Sequence, residues 1–338
     1  MIAISDRASS PPAIALQPSG DRPPLQFQHS SETAEIFELA AGASESLSES
    51  AIVASELSPY QQWYNRGVQL GQAGQPAAAI ASYRKSLSLN PVYVKAWYNQ
   101  GNQLARLGLY RMALCSYAKA LQLNPNLFVA WYSRGRLHCK LGEQQQGVDD
   151  YKRALVLQPN FYPAWHHQGE ALMQLGQYEA AITSFAQVLV LQPDLHQVWH
   201  CRGRALYKLG RYQDAQASYE RALEIQPDLA EVWHGHGNTL VRQGQSQQAI
   251  ASYDTAIALQ PDYASAWYSR GKALAYLGQY PAAIASYDRV LKLQPDFPNA
   301  QHCRQLALCH LMPHMVLQHR WLLCQFKRVQ EKIAAASG

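Results

Sequence analysis

Tryptophan sets the first constraint on this chain. Trp63, Trp97, Trp131, Trp165, Trp199, Trp233 and Trp267 are separated, without exception, by 34 residues. A glycine follows each by four positions, at Gly67, Gly101, Gly135, Gly169, Gly203, Gly237 and Gly271. A second follows by eleven, at Gly74, Gly108, Gly142, Gly176, Gly210, Gly244 and Gly278. A proline closes each period, at Pro91, Pro125, Pro159, Pro193, Pro227, Pro261 and Pro295. Chance does not hold four positions in register through that many copies. A fixed period of this length marks an architecture in which small units stack, each burying its neighbour's apolar face.

One unit, residues 196–229, shows what is stacked. Trp199, Gly203 and Leu206 fall on one helical face, and Gly210 stands where a helix stop belongs. Ala215, Tyr219, Ala222 and Leu223 repeat the spacing on a second helix. Pro227 ends it, since proline lacks the amide proton and clashes with the preceding turn. Asp228 is the residue type that caps a following helix. Gly203 costs about 1 kcal/mol in helix propensity, which is tolerable where a second helix approaches closely, with Ala215 opposite and Trp199 and Tyr219 filling the space around. These tryptophans and mid-helix glycines therefore read as scaffold.

The pattern W-x(3)-G…A-x(3)-Y/F-x(2)-A…P resembles the tetratricopeptide-repeat (TPR) family over residues 60–297. The resemblance implies an all-α solenoid, a right-handed superhelix of helix–turn–helix units. The units are residues 60–93, 94–127, 128–161, 162–195, 196–229, 230–263 and 264–297. Local departures are Gly147 and Val188 and Val290 in place of alanine, and His138 in place of a core leucine.

The flanks differ in composition. The chain has 338 residues and a formal net charge of +5. Residues 1–60 carry Asp6, Asp21, Glu32, Glu35, Glu38, Glu45, Glu49 and Glu56 against Arg7 and Arg22, so the charge is concentrated as an acidic lead and a basic body. Residues 1–58, rich in Ser, Pro, Ala and Glu around one apolar patch at Ile36-Phe37-Glu38-Leu39, predict a disordered tail. That tail has the charge to compete for a basic groove, although a solvating role is the simpler reading. Beyond Pro295, Gln301 and Gln305 replace the expected Trp and Gly, which predicts capping helices over 298–338: one over 299–312 and, past Pro313, a basic one over 314–333. There is no secretory leader and no apolar run of about 18 residues, so a cytoplasmic location is expected. The six cysteines form no CxxC pair and read as reduced thiols.

The resemblance implies a ligand on the concave face, lined by the first helix of each unit. Mapped onto this chain, the residues just after each Trp are Tyr64, Tyr98, Tyr132, His166, His200, His234 and Tyr268. Beside and beyond them come Asn99, Asn102, Arg136, Lys140, Arg204, Lys208, Asn238, Arg242 and Lys272. Tyr, His and Asn bond a peptide backbone, and the cations favour an acidic ligand. Arg66, Arg134, Arg202 and Arg270 fall on the adjoining edge, where long side chains run along a helix. The family's chaperone-tail clamp places a Lys where this chain has Tyr64 or Tyr98, which argues against that ligand. The bases are interleaved with Glu and Gln, which argues against nucleic acid.

No GxSxG, GxxxxGK[ST] or HExxH motif is present, so no catalytic residue and no cofactor is expected. His166, His167, His196, His200, Cys201, His234 and His236 suggest a metal, but equivalent positions in successive units are expected to lie too far apart for one ion to collect ligands along the array, so no metal is expected. The reading is a non-catalytic scaffold for an acidic protein or peptide. Its alternatives are an adaptor held at a membrane surface by residues 314–333 and a regulatory subunit of an enzyme.

Overall fold

A computed structural model describes residues 57–311. The expectations for the acidic lead up to residue 56 and for a helix over 314–333 lie outside the described residues. Each 34-residue period folds as two antiparallel helices. The first helices are α1 (Pro59–Gln72), α3 (Val94–Arg106), α5 (Phe128–Lys140), α7 (Tyr162–Gln174), α9 (His196–Lys208), α11 (Ala230–Arg242) and α13 (Ala264–Tyr276). The second helices are α2 (Pro76–Leu89), α4 (Tyr110–Leu123), α6 (Gln144–Leu157), α8 (Tyr178–Leu191), α10 (Tyr212–Ile225), α12 (Ser246–Leu259) and α14 (Tyr280–Leu293). A last helix, α15 (Ala300–Leu311), packs on α14 and α13. It buries Ala300 and Ala307 and leaves Gln301 and Gln305 exposed.

The stops work as the glycine spacing predicts. Gly210 has φ 84°, a left-handed conformation that costs a side-chain-bearing residue about 1–2 kcal/mol. Its N–H bonds Tyr207 O at 3.1 Å, and Arg211 N–H bonds Leu206 O at 3.0 Å. That pair of bonds satisfies carbonyls the helix end would otherwise leave open. The starts differ from expectation. The residue at the start of α11 is Leu229, not Asp228, and it makes no side-chain capping bond. Tyr93, Leu127, Phe161, Leu195 and Tyr263 hold the same place in other units. The array puts an apolar, packing side chain where an isolated helix would favour a polar cap.

Within a unit, the mid-helix glycine meets the aromatic ring of the second helix. A Cβ on Gly203 would lie 2.8 Å from Tyr219 Cε1, and one on Gly169 2.6 Å from Phe185 Cε1. The Tyr219 ring is thus the nearest neighbour of Gly203, filling the space beside the close helix approach. In the third unit the helices also approach through backbone, because a Cβ on Gly135 would fall 3.1 Å from Gly147 O and one on Gly147 3.0 Å from Gly135 O. The tryptophans are half-buried and brace the turns. Trp97 Nε1 donates to Pro91 O at 2.8 Å, and Trp131, Trp165, Trp199, Trp233 and Trp267 make the same bond to the proline six residues before.

Three of the edge arginines, Arg134, Arg202 and Arg270, are braces as well, whereas Arg66 lies over the Trp63 ring of its own helix. Arg202 Nη1 donates to Ser218 Oγ at 3.0 Å and Arg270 Nη1 to Ser286 Oγ at 2.8 Å, joining first helix to second. In the third unit Asp150 replaces that serine, and Arg134 grips it through two bonds of 2.8 and 2.5 Å. Successive first helices touch one another, whereas no comparable contact joins successive second helices. The array therefore curves with the first helices inside.

Candidate functional site

The concave face is built from three rows on the first helices. The row just after each Trp turns inward. Tyr98, Tyr132, His166, His200 and His234 are buried, and Tyr64 and Tyr268 are half-buried. This corrects the expectation that these residues line the groove: they form its floor. Their rings pack on the second helix, as Tyr98 on Tyr117 (5.9 Å between centroids) and His200 on Tyr219 (6.0 Å).

The floor is stitched along the array by bonds between neighbouring units. Asn99 Nδ2 donates to Tyr64 Oη at 2.9 Å, and His234 Nε2 lies 3.0 Å from Ser269 Oγ. Tyr268 Oη lies 3.5 Å from Cys303 Sγ, and Ser133 bonds the Tyr98 hydroxyl. Each link spans 35 residues, one period plus one. That offset was present in the sequence as Tyr64/Asn99 and His234/Ser269. Asn102 and Asn238 are held from below, their Oδ1 accepting from Tyr117 Oη (2.7 Å) and Tyr253 Oη (2.8 Å).

Burial sets the charge state of this floor. Desolvation raises the phenols of Tyr117, Tyr219 and Tyr253 above their ordinary value, so they remain donors. Burial, with the charges of Arg204 and His196 adding, pulls His200 down to about 3, and burial alone pulls His234 to about 4. Both imidazoles are neutral near pH 7.

Above the floor stand the cations. Arg136, Arg204 and Lys272 are half-buried, and Arg106, Lys140, Lys208 and Arg242 are exposed. Several lie over aromatic rings: Lys140 over Tyr110 (4.9 Å), Arg136 over Tyr132 (5.7 Å), Arg242 over Tyr212 (5.7 Å) and Lys272 over Tyr268 (5.5 Å). Arg106 Nη1 donates to Gly71 O at 3.0 Å. Among the described residues, Arg106, Lys140, Lys208, Arg242 and Lys272 make no ion pair with a carboxylate. Two of the edge arginines do, Arg134 with Asp150 and Arg270 with Asp254, as does Arg304 with Asp288 on the last helix, whereas Arg202 is held by the Ser218 hydroxyl. Some of the bracing cations are thus neutralised by a carboxylate, while Arg106, Lys140, Lys208, Arg242 and Lys272 are not. Among the described residues, no helix is long and apolar enough to cross a membrane.

Comparison with known proteins agrees with this architecture. Family models described as tetratricopeptide repeat match residues 64–128, 194–262 and 234–298, and one described as TPR repeat matches 169–210. No curated protein sequence matches significantly. Among solved structures, a tetratricopeptide repeat protein from Parabacteroides merdae aligns at 18% identity and a TM-score of 0.53, covering 74% of this chain and 98% of its own. The C-terminal part of a TPR repeat-containing protein from Cytophaga hutchinsonii aligns at 17% identity and a TM-score of 0.60, covering 71% of this chain and 98% of its own. Identities this low speak to fold alone. With the 34-residue period, the paired helices and the family models in agreement, this chain belongs to the tetratricopeptide-repeat family.

Proposed function

We propose that this protein is a non-catalytic scaffold that holds an acidic peptide, or an acidic segment of a partner protein, along its concave face. The fold is in general a protein-interaction scaffold. The observation that supports the finer reading is the set of concave cations without carboxylate partners, Arg106, Lys140, Lys208, Arg242 and Lys272. Cations set along one face without facing acids of their own leave a positive potential that an acidic ligand complements. The bonded floor of Tyr, His, Asn and Ser holds the first helices at fixed spacing, so the cations are presented by a pre-organised surface.

The test is fluorescence anisotropy with an Asp/Glu-rich peptide selected from a random library on the full chain. Binding should weaken as salt rises. The triple variant Lys140→Ala, Lys208→Ala, Arg242→Ala should bind roughly tenfold more weakly, at about 0.5 kcal/mol per screened charge. Unchanged affinity in that variant, with its helical circular dichroism intact, would place the ligand elsewhere.

A further inference from the structure

Between the fourth and fifth units, the concave floor holds a side-chain cluster that peptide binding does not use. His166 and Glu170 lie one turn apart on α7, and Cys201 comes from α9, the equivalent helix of the next unit. An imidazole nitrogen, a carboxylate oxygen and the thiol sulfur all lie within 4.8 Å of one another. Successive units were expected to be too widely separated to share an ion. The 35-residue offset that stitches the floor is what closes the distance here. We propose that His166, Glu170 and Cys201 form a site for one divalent transition-metal ion of the zinc class, joining the first helices of these two units.

The geometry is near what such an ion requires. Ligands bonded at about 2.0–2.3 Å to a tetrahedral ion stand about 3.3–3.8 Å apart. His166 Nδ1 is already 3.7 Å from Glu170 Oε2, and the sulfur needs to close by about 1 Å. One nitrogen, one oxygen and one sulfur suit a borderline-soft ion and disfavour magnesium or calcium, which take oxygen donors. His166 is 2% exposed and Glu170 21%, so the site is sheltered yet open on one side, where a water completes the coordination. His167 Nδ1 lies 3.0 Å from Glu170 Oε2 and orients the carboxylate, as second partners of metal ligands do. Among the described residues, no other group of His, Cys, Asp and Glu meets in this way.

Charge fits too. Burial raises the Glu170 carboxyl, but the hydrogen bond from His167 and the charges of His166, His167 and Arg204 outweigh it and hold the group below its ordinary value, ionised. Burial, with Glu170 adding, pushes the Cys201 thiol up to about 12 against the opposing Arg204, so without metal it keeps its proton. Binding therefore sends that proton to solvent, and thiolate plus carboxylate balance the ion's two charges. Arg204 competes with the ion for Glu170, which makes the site weaker than a closed four-ligand structural one.

The experiment titrates the metal-free, reduced full chain with Co2+ and follows the near-ultraviolet thiolate-to-cobalt charge-transfer band. The expected result is saturation at about one ion per chain with about one proton released. Zn2+ should displace the cobalt. The band should vanish in Cys201→Ser, weaken at least tenfold in apparent affinity in Glu170→Gln, and persist in Cys303→Ser. Cys201→Ser and Glu170→Gln are near-isosteric, and helical circular dichroism establishes the fold of each. Should Cys201→Ser not fold, the Glu170→Gln titration decides alone. No thiolate band at saturating Co2+, a band that survives in folded Cys201→Ser, or unchanged affinity in folded Glu170→Gln overturns the proposal.

Discussion

His200 and His234 occupy the position that Tyr98 and Tyr132 fill in earlier units, buried against the second helix. A tyrosine there is indifferent to acid, whereas a histidine is not. With its folded value pulled from 6.5 to about 3, His200 takes up fewer protons than the unfolded chain does. Its contribution is complete above pH 6.5 and is lost as pH falls toward 3. At a pH of about 4.5 the loss amounts to about 3 kcal/mol for that residue. His200→Tyr should therefore shrink the drop in Tm between about pH 7.5 and 4.5, measured by helical circular dichroism. An identical drop in the variant would show that His200 is reached by solvent.

At the scale of the helix pair, two glycines with the same side chain do opposite jobs. Gly203 is buried under Tyr219 Cε1, at 2.8 Å from where a Cβ would sit, so Gly203→Ala forces the ring out of a core in which Ala215 and Ala222 are fully buried. The cost is about 1–3 kcal/mol, reduced by the roughly 1 kcal/mol that alanine gains in helix propensity. Gly210 has open space around it and pays only for its φ of 84°, so Gly210→Ala costs about 1 kcal/mol. Asparagine separates the two, since it tolerates the left-handed region but not a missing cavity. Urea denaturation should find Gly210→Asn close to wild type and Gly203→Asn the most destabilised of the set. Equal losses at both sites would mean that Tyr219 yields freely.

Among the described residues there is no single core. Buried clusters run along the array, one around Tyr98, Ala113 and Tyr117, another around Tyr151, Ala164 and Phe185, another around Leu240, Tyr253 and Tyr287. Each unit is supported by its neighbours alone, so stability adds along a line. The same packing fault should then act differently by position. Gly67→Ala, which meets Tyr83 at 2.6 Å, damages an end unit, and Gly203→Ala an inner one. Hydrogen exchange should show fraying confined to α1 and α2 in the first variant. In the second, protection should fall on both sides of α9 and α10. Uniform loss in both would indicate a single cooperative block and not a chain of units.

Much of this molecule is written locally. The 34-residue spacing of Trp, Gly and Pro determined the helix pairs, their stops and their stacking, because each of those depends on residues within one period or on its nearest copy. The basic character of the concave rows, at Lys140, Lys208 and Arg242, was equally legible, since facing follows from helical spacing. The tertiary structure alone decided which way the row after each Trp turns: Tyr132 and His166 face the floor, where their rings meet Tyr151 and Phe185 of the second helix, contacts that the periodicity of one helix does not contain. It also decided the partners. Arg134 with Asp150 joins the two helices of one unit, at a distance set by how they pack. Tyr64 with Asn99, and His166 and Glu170 with Cys201, join neighbouring units, and those distances depend on how each unit is rotated against the next, a quantity no single period contains.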